Sequence, residues 1–551
     1  MLGLMQQHPL LVSSIIRHAA RHHGNSEVVS VLGEGVVHRS NYAKIERRAR
    51  RAALVLERLG VRFGDRVATL AWNTYRHLEL FYAVSGSGAV MHTVNPRLLQ
   101  QDIEYIITHA GDSVVFTDPS FVPLVEAMAP QIAACVRTVV VLCAPDEMPK
   151  VALPAGMALH CHESLMAEAD EHYSWPSFDE NTASGLCYTS GTTGRPKGVL
   201  YSHRSTVLHA MAAVSADAFG LRAIDRMLPG APMFHAAAWA VPYTLPMVGA
   251  AMILPGRHLD PPHLVRLLNE ERVTFTAAVP TVWLAVLAYL KETGQTFTHL
   301  KRLFSGGSAV PRAMIEGMAE HGVEVLHAWG MTETSPLVSM YAPTPATAEL
   351  TGEELMRMKL KQGRPVFGTE VKIVDADGKE LPWDGVAFGD LLVRGNWVCR
   401  EYLHRGREGG ADDDGWFATG DVATIDPEGF IELVDRSKDV IKSGGEWISS
   451  IQLENIAVSH PDVAEAAVIN AYHEKWQERP LLLVVPLPGH TVDPKSVLAF
   501  YEGKIAKWWT PDAVVVVDEL PHTATGKLNK LLLRKEWQDY LVREKGRSAA
   551  D

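Results

Sequence analysis

The sequence predicts an α/β protein: a large N-terminal domain of layered α/β subdomains with a small β subdomain, followed by a small α+β C-terminal domain. Amphipathic helical stretches alternate with short apolar runs to about residue 330, the pattern of helices laid on mostly parallel sheets. After about residue 368 that pattern gives way to strand-like alternation broken by tight turns. A chain of 551 residues also exceeds one simple core, so two to four domains or subdomains are expected.

The first clear element spans residues 42–59, where Ile45, Ala49, Ala52, Leu56 and Leu59 recur at three- and four-residue steps and Gly60 ends the helix. Its Arg47, Arg48, Arg50, Arg51 and Arg58 are read as a solvated face rather than an anion-binding patch. A β-type run follows at 67–72. Residues 227–256 contain no Asp, Glu, Lys or Arg and could span a bilayer on length alone. Pro229, Pro232, Pro242, Pro246, Pro255 and His235 interrupt that stretch, so it is read as buried soluble core with a functional face.

Beyond residue 368, Val371 and Ile373 alternate toward a turn at Asp377 and Gly378, and Asp426-Pro427-Glu428-Gly429 separates further β-like runs. The charged segment 434–439 then precedes a last α/β block and is the candidate interdomain linker. In that block Ser449 and Gln452 form a capping-box pair, and 481–485 and 514–517 read as buried strands.

Composition narrows the function. A formal charge of −12 excludes a broad nucleic-acid footprint, so any phosphate ligand must be held by a local site. Cys135, Cys143, Cys161, Cys187 and Cys399 include no C-x-x-C pair and are too sparse for a disulfide framework, which fits a reducing cytoplasm. Residues 1–17 lack the pattern of a secretory signal, and no transmembrane helix is expected.

The most informative segment is YTSGTTGRPKGV at 188–199, after a short strand-like run. Gly191, Gly194 and Gly198 let the backbone approach a ligand closely. Thr189, Ser190, Thr192 and Thr193 add hydroxyl donors and Lys197 adds a positive charge, a combination suited to polyphosphate. It is not a Walker A loop, because the position five after Gly191 is Pro196.

This loop resembles the signature of the adenylate-forming superfamily, which includes acyl-CoA synthetases, luciferases and peptide-synthetase adenylation domains, and the family's other motifs follow in order. Ala328-Trp329-Gly330-Met331-Thr332-Glu333 is similar to the adenine and magnesium motif, with Trp329 where Tyr is usual. The resemblance implies nucleotide contacts from His327, Ala328, Trp329, Gly330 and Thr332, an α-phosphate bond from Thr332, and Mg²⁺ ligands from Glu333 and Thr189. Thr419-Gly420-Asp421 resembles the ribose motif, with Asp421 accepting from the hydroxyls. Asp435, Arg436 and Lys438 match the linker motif, with Asp435 at the hinge position. Lys442, Gly444, Gly445 and Trp447 match the stretch that faces coenzyme A, and Lys527, in PHTATGK at 521–527, matches the catalytic lysine. The resemblance thus divides the chain into an adenylation domain at 1–434, a hinge at 435–438 and a mobile C-terminal lid domain at 439–551.

Residues 232–239, PMFHAAAW, are similar to the gate motif of fatty acyl-CoA synthetases, in which His235 would lie near the carboxylate and Trp239 would guard an acyl channel. The family form commonly has Asn at the position of Ala237. Residues 279–283 and 305–309 fit pocket walls, with Gly307 nearest the substrate and Ser308 beside it at the nucleotide. Similarity spans nearly the whole chain and is nearest to medium- and long-chain fatty acyl-CoA synthetases and 3-methylmercaptopropionate-CoA ligases. It implies an ATP-, Mg²⁺- and CoA-dependent ligase for a hydrophobic acid, with Lys527, Thr189, Glu333 and His235 as the catalytic group. A stand-alone adenylating enzyme with another acyl acceptor is the alternative, although no carrier attachment site follows Lys527. A homodimer is compatible with the sequence, which does not itself set the assembly state.

Overall fold

In a computed structural model of the chain, which describes all residues except 2, 34, 171, 190–194, 407, 444–445, 523–527 and 544–551, the strands form four sheets. The side chains of residues 237, 446 and 447 likewise lie outside the description. The first sheet runs Ala158–Cys161, Thr138–Val141, Asp112–Thr117, Arg66–Leu70, Val90–Thr93, Ala183–Tyr188 and Gly198–Ser202 in spatial order, parallel except for the last pair. The second is longer, with a parallel centre of Glu324–Gly330, Arg302–Ser305, Phe275–Ala277, Arg226–Pro229, Ala251–Leu254 and Glu27–Gly33 and antiparallel edges at both ends. Strands covered by helices on both faces lack an exposed polar side, which explains four-residue buried runs such as Thr138–Val141.

Helix Tyr75–Gly86 joins the two sheets. It is buried at every position except Arg76 and packs on strands of both, so its polar side chains His77, Glu79 and Ser85 must find partners inside the protein. The predicted helix at 42–59 is observed as Tyr42–Arg58, with the Asn41 side chain accepting from Lys44 N at 2.9 Å at its start. The arginines on it correct the sequence reading of a solvated face. Arg47 and Arg58 are exposed, but Arg48 is mostly buried and bridges the fully buried Glu79 at 2.6 Å and Glu163 at 2.9 Å. Glu79 also meets His162 Nε2 at 2.6 Å. A carboxylate taken from water must be paired, and Glu79 reaches Arg48 only because the two helices pack side by side.

The charge-free stretch 227–256 resolves into the end of strand Arg226–Pro229, helix Val241–Val248 and strand Ala251–Leu254, all inside the second sheet's core. Among the described residues no helix is long and apolar enough to cross a membrane.

The change in pattern near residue 368 is a four-stranded antiparallel sheet, Thr369–Val374, Phe388–Gly395, Phe417–Ile425 and Ile431–Arg436. Residues 434–436 of the charged segment read as a linker are the end of this last strand. There Asp435 is buried, its carboxylate accepting from Ser450 N at 2.6 Å and Arg436 N at 2.8 Å. The C-terminal block is built on Gln477–Pro486, paired antiparallel with Val463–His473 and parallel with Ala513–Val516. Ser449 caps helix Ser450–Val458 by accepting from Gln452 N at 3.1 Å, while its hydroxyl donates to Val434 O across the boundary.

Candidate active site

A cleft of about 710 Å³ opens where the parallel strands of both sheets end. Thr189 follows Ala183–Tyr188, Gly230 follows Arg226–Pro229, Gly306 and Gly307 follow Arg302–Ser305, and Met331, Thr332 and Glu333 follow Glu324–Gly330. Ligands of open α/β sheets bind at carboxyl ends of strands because the loops there are freed from the ladder and converge. Here two sheets contribute to one cleft, and the antiparallel sheet closes a third side with Phe417, Thr419 and Gly420.

One arm of the cleft is cationic. Arg97, Arg195, Lys197, Arg405, Arg436, Lys438, Lys530 and Arg534 line it against the carboxylates of Glu333 and Asp439, although the whole chain is acidic at −12. Such concentration of charge selects a polyanion. The other arm is apolar, with Phe219, Trp239, Leu259, Val279, Val282 and Phe304 on its walls. Trp239 lies 5.4 Å from Phe304, which stacks on Phe219 at 4.5 Å between ring centroids. His235 is half-buried and also lines the cleft. The segment after it turns left-handed, with φ of 40° at Ala236, 55° at Ala238, 54° at Trp239 and 65° at Ala240. Non-glycine residues hold this conformation only where packing over-determines it, and these four side chains are buried. Gly307, at φ +84°, turns the backbone along the cleft floor where a side chain would be strained.

The base of the phosphate-loop candidate is held by two bonds across the hairpin, Thr189 N to Lys197 O at 3.0 Å and Lys197 N to Thr189 Oγ1 at 3.3 Å. Ser190, Gly191, Thr192, Thr193 and Gly194 lie outside the described residues, as do Gly444, Gly445 and Lys527 and the side chain of Trp447. The ends of the Lys527 segment are nevertheless fixed: His522 and Leu528 form an antiparallel bridge, and Leu528 and Asn529 line the cleft.

Two side-chain clusters organise the polar arm. In one, the buried Tyr402 hydroxyl donates to Glu333 Oε1 at 2.7 Å, and its ring faces Lys197 with Nζ 4.6 Å from the centroid. Burial and the Glu333 carboxylate hold the phenol well above the usual tyrosine range, so it remains a donor. In the other, Asp421 is buried between two donors, Trp329 Nε1 at 3.1 Å and Arg436 Nε at 2.8 Å. The Asp421–Arg436 pair is a register pair of adjacent strands, so the sheet sets its spacing.

The structure brings together Thr189, Lys197, His235, Trp239, Gly307, Ala328, Trp329, Gly330, Thr332, Glu333, Arg436 and Lys438 around the cleft. Asp421 sits just behind the lining. His327, Ser308 and Lys442 do not line it. His327 is buried beneath the wall, its Nε2 3.5 Å from Gln362 Nε2, and burial pushes its imidazole down to about 4. Ser308 is exposed, and Lys442 is exposed on strand Ile441–Ser443, where its N–H donates to Glu478 Oε2 at 2.7 Å. Sequence reasoning passed over Tyr402, Arg97, Arg405, Lys530 and Arg534. Lys530 bonds Glu454 Oε1 at 2.7 Å and Ser450 Oγ at 2.5 Å, and Arg534 pairs with Asp439. Lone cations and a lone tyrosine carry no local signal; only convergence in space marks them.

The donor set of Glu333 and Thr189 consists of a carboxylate and a hydroxyl oxygen, which fits a hard cation such as Mg²⁺. The lining thus combines cationic side chains suited to a polyanion with apolar ones suited to an apolar group.

Comparison with known proteins agrees with this geometry. Residues 16–403 match the family described as AMP-binding enzyme, and residues 452–527 match the AMP-binding enzyme C-terminal domain. The chain is 50% identical over 543 residues to a 3-methylmercaptopropionyl-CoA ligase of Ruegeria lacuscaerulensis, covering 98% of this chain and 100% of the relative. It is 46% identical over 544 residues to a medium-chain-fatty-acid–CoA ligase of Ectopseudomonas oleovorans, covering 98% and 99%. Among solved structures, ATP-bound MatB from Rhodopseudomonas palustris superposes with a TM-score of 0.79 at 26% identity, covering 96% of this chain and 99% of that one.

Proposed function

The chain belongs to the AMP-binding enzyme family, with an acyl-CoA synthetase-like fold, and on that premise we propose how its cleft carries out the two half-reactions of an acyl-CoA synthetase. The enzyme is an acid–thiol ligase that converts a hydrophobic carboxylic acid to its CoA thioester through an acyl-adenylate, with ATP and CoA as co-substrates. One observation carries the reading: a single cleft joins a cationic arm to an aromatic and aliphatic arm.

In the first half-reaction a carboxylate oxygen of the acid attacks the α-phosphorus of ATP. The bond to the bridging oxygen breaks, pyrophosphate leaves, and an acyl-AMP remains. We assign the triphosphate to residues 189–197, where Lys197 offsets charge, and the adenine and ribose to the wall formed by Ala328, Trp329, Gly330 and Asp421. Thr332 is assigned to the α-phosphate. Glu333 and Thr189 are assigned as holders of Mg²⁺, which when bound supplies charge neutralisation on the phosphates. His235 orients the acid's carboxylate, and Trp239, Phe304 and Gly307 bound the acyl chain. Lys527 is assigned to the attacking carboxylate and the α-phosphate, where a cation offsets charge that grows in the transition state.

In the second half-reaction the CoA sulfur attacks the acyl carbonyl, its thiol proton is released, and AMP departs. Leu528 and Lys530 face the cleft while Lys442 lies outside it. This supports assigning the observed arrangement to adenylation. Thioester formation then follows rotation of the 439–551 domain about Asp435, which exchanges the lysine loop for the stretch at Lys442, Gly444, Gly445 and Trp447.

The deciding experiment measures AMP release from a panel of acids, short to long and including thioether acids, with and without CoA. CoA-dependent turnover of apolar acids is expected. Adenylate formation with no CoA use would instead favour an enzyme with another acyl acceptor. The apolar arm supports 3-methylmercaptopropionate or a medium- or long-chain fatty acid as the substrate. Five free cysteines support a cytoplasmic location, and sedimentation would test a homodimer.

A further inference from the structure

The outer side of the acyl wall carries a cluster that the ligase reaction does not use. His258, Asp260 and His263 bring two imidazole nitrogens and a carboxylate oxygen within 4.8 Å of one another. Leu259, between the first two, is among the apolar residues that line the cleft. His258 and His263 are half-buried and Asp260 is exposed, so the group opens to solvent.

The backbone holds these side chains in place before any ion arrives. Asp260 caps helix Pro261–Glu270 by accepting from His263 N at 3.4 Å, and its Oδ1 meets His263 Nδ1 at 2.7 Å. Pro261 and Pro262 fix φ between the carboxylate and the second imidazole. Upstream, Gly256 turns at φ +64° so close to strand Glu27–Gly33 that a Cβ there would meet Val31 O at 2.3 Å. A segment clamped at both ends loses little freedom when its side chains close on a ligand.

We propose that His258, Asp260 and His263 form a binding site for a late first-row divalent cation of the Zn²⁺ class, whose occupancy fixes Leu259 and with it the acyl wall. Two imidazoles and one carboxylate are a zinc donor set with a fourth position open to water, whereas Mg²⁺ prefers oxygen alone. Among the contacts of His258, Arg257 Nε lies 3.4 Å from its Nε2 on an exposed side chain, and coordination through that nitrogen would have to replace this bond. The metal assignment stands on this geometry alone; the coupling to the wall also rests on the acyl assignment of the apolar arm.

The test titrates ZnCl₂ into chelator-treated full-length enzyme by calorimetry, beside a His258→Ala/His263→Ala variant. Asp260 is left in place because it caps the helix. The chain has 24 histidines, so the difference between the two proteins is what counts. The wild type is expected to bind one equivalent that the variant loses, and Co²⁺ is expected to give ligand-field absorption that the variant lacks. Equal zinc isotherms in the two folded proteins would overturn the site. For the coupling, zinc is expected to shift KM for an apolar acid by about twofold in the wild type only, with KM for ATP unmoved. Zinc binding with no such shift would overturn the coupling and leave the site standing. If neither protein turns over any acid, the ligase assignment fails while the titration still decides the metal site.

Discussion

Tyr402 and Glu333 lie 69 positions apart in the chain, yet the phenol donates to the carboxylate at 2.7 Å while its ring covers the Lys197 ammonium. One side chain thereby positions both the carboxylate assigned to Mg²⁺ and the cation assigned to the phosphates. Tyr402→Phe keeps the ring and removes the bond. A hydrogen bond to a charged group contributes about 1.5–3 kcal/mol, so pyrophosphate release is expected to slow by roughly ten- to a hundredfold. The Mg²⁺ concentration for half-maximal rate should rise with it. An unchanged Mg²⁺ dependence would show that Tyr402 only packs the wall.

Asp421 is the acceptor assigned to the ribose hydroxyls, and Asp421→Asn removes its charge with little change of shape. KM for ATP is expected to rise about tenfold, the loss of one charge-assisted hydrogen bond, with KM for the acid unaltered. Equal effects on both substrates would argue for a general disturbance of the sheet.

Lys527→Ala is expected to abolish adenylation while sparing thioester formation from preformed acyl-adenylate. Rapid-quench assays of the separate half-reactions measure this directly. Equal loss in both would contradict the division of labour between the two faces of the C-terminal domain.

Trp239 packs on Phe304 and narrows the apolar arm. Trp239→Ala should shift kcat/KM toward longer acids, since each further methylene accommodated contributes about 0.8 kcal/mol. A chain-length profile identical to wild type would remove Trp239 from the wall.

Four histidines are buried in neutral form. Burial pushes His77 and His209 down to about 3 and His203 and His327 down to about 4. His209 Nε2 accepts from Leu337 N at 3.1 Å, which requires that nitrogen to be unprotonated. Between the unfolded value near 6.5 and these folded values the unfolded chain binds more protons, so stability rises with pH and falls on acidification. At about pH 5 each group should have withdrawn about 2 kcal/mol. Denaturant midpoints measured from about pH 7 to 5 should fall, and His209→Gln should flatten the slope by one proton.

The sequence yielded those features that repeat locally or lie in one segment. The helix at 42–59 and the strands at 481–485 and 514–517 appear within a few residues of expectation as Tyr42–Arg58, Gln477–Pro486 and Ala513–Val516. The antiparallel sheet beyond residue 368 was legible from its turns. What escaped were pairings between distant segments. Arg48 reads as a surface charge until Glu79 and Glu163 meet it. Asp435 reads only as part of a charged linker segment, and its burial against Ser450 N, 15 positions on, is not visible there. His327 sits one residue from the cleft-lining Ala328, yet it is buried against Gln362, a partner 35 positions away. Burial and partner choice are set by packing, which no local pattern contains.

Both carboxylate oxygens of Asp421 are already occupied, one by the indole of Trp329 and the other by the guanidinium of Arg436 at the domain boundary. Each of those oxygens keeps a second lone pair, so an incoming sugar can share the acid with the guanidinium, and its hydroxyls would meet a carboxylate whose orientation the sheet and the indole already set.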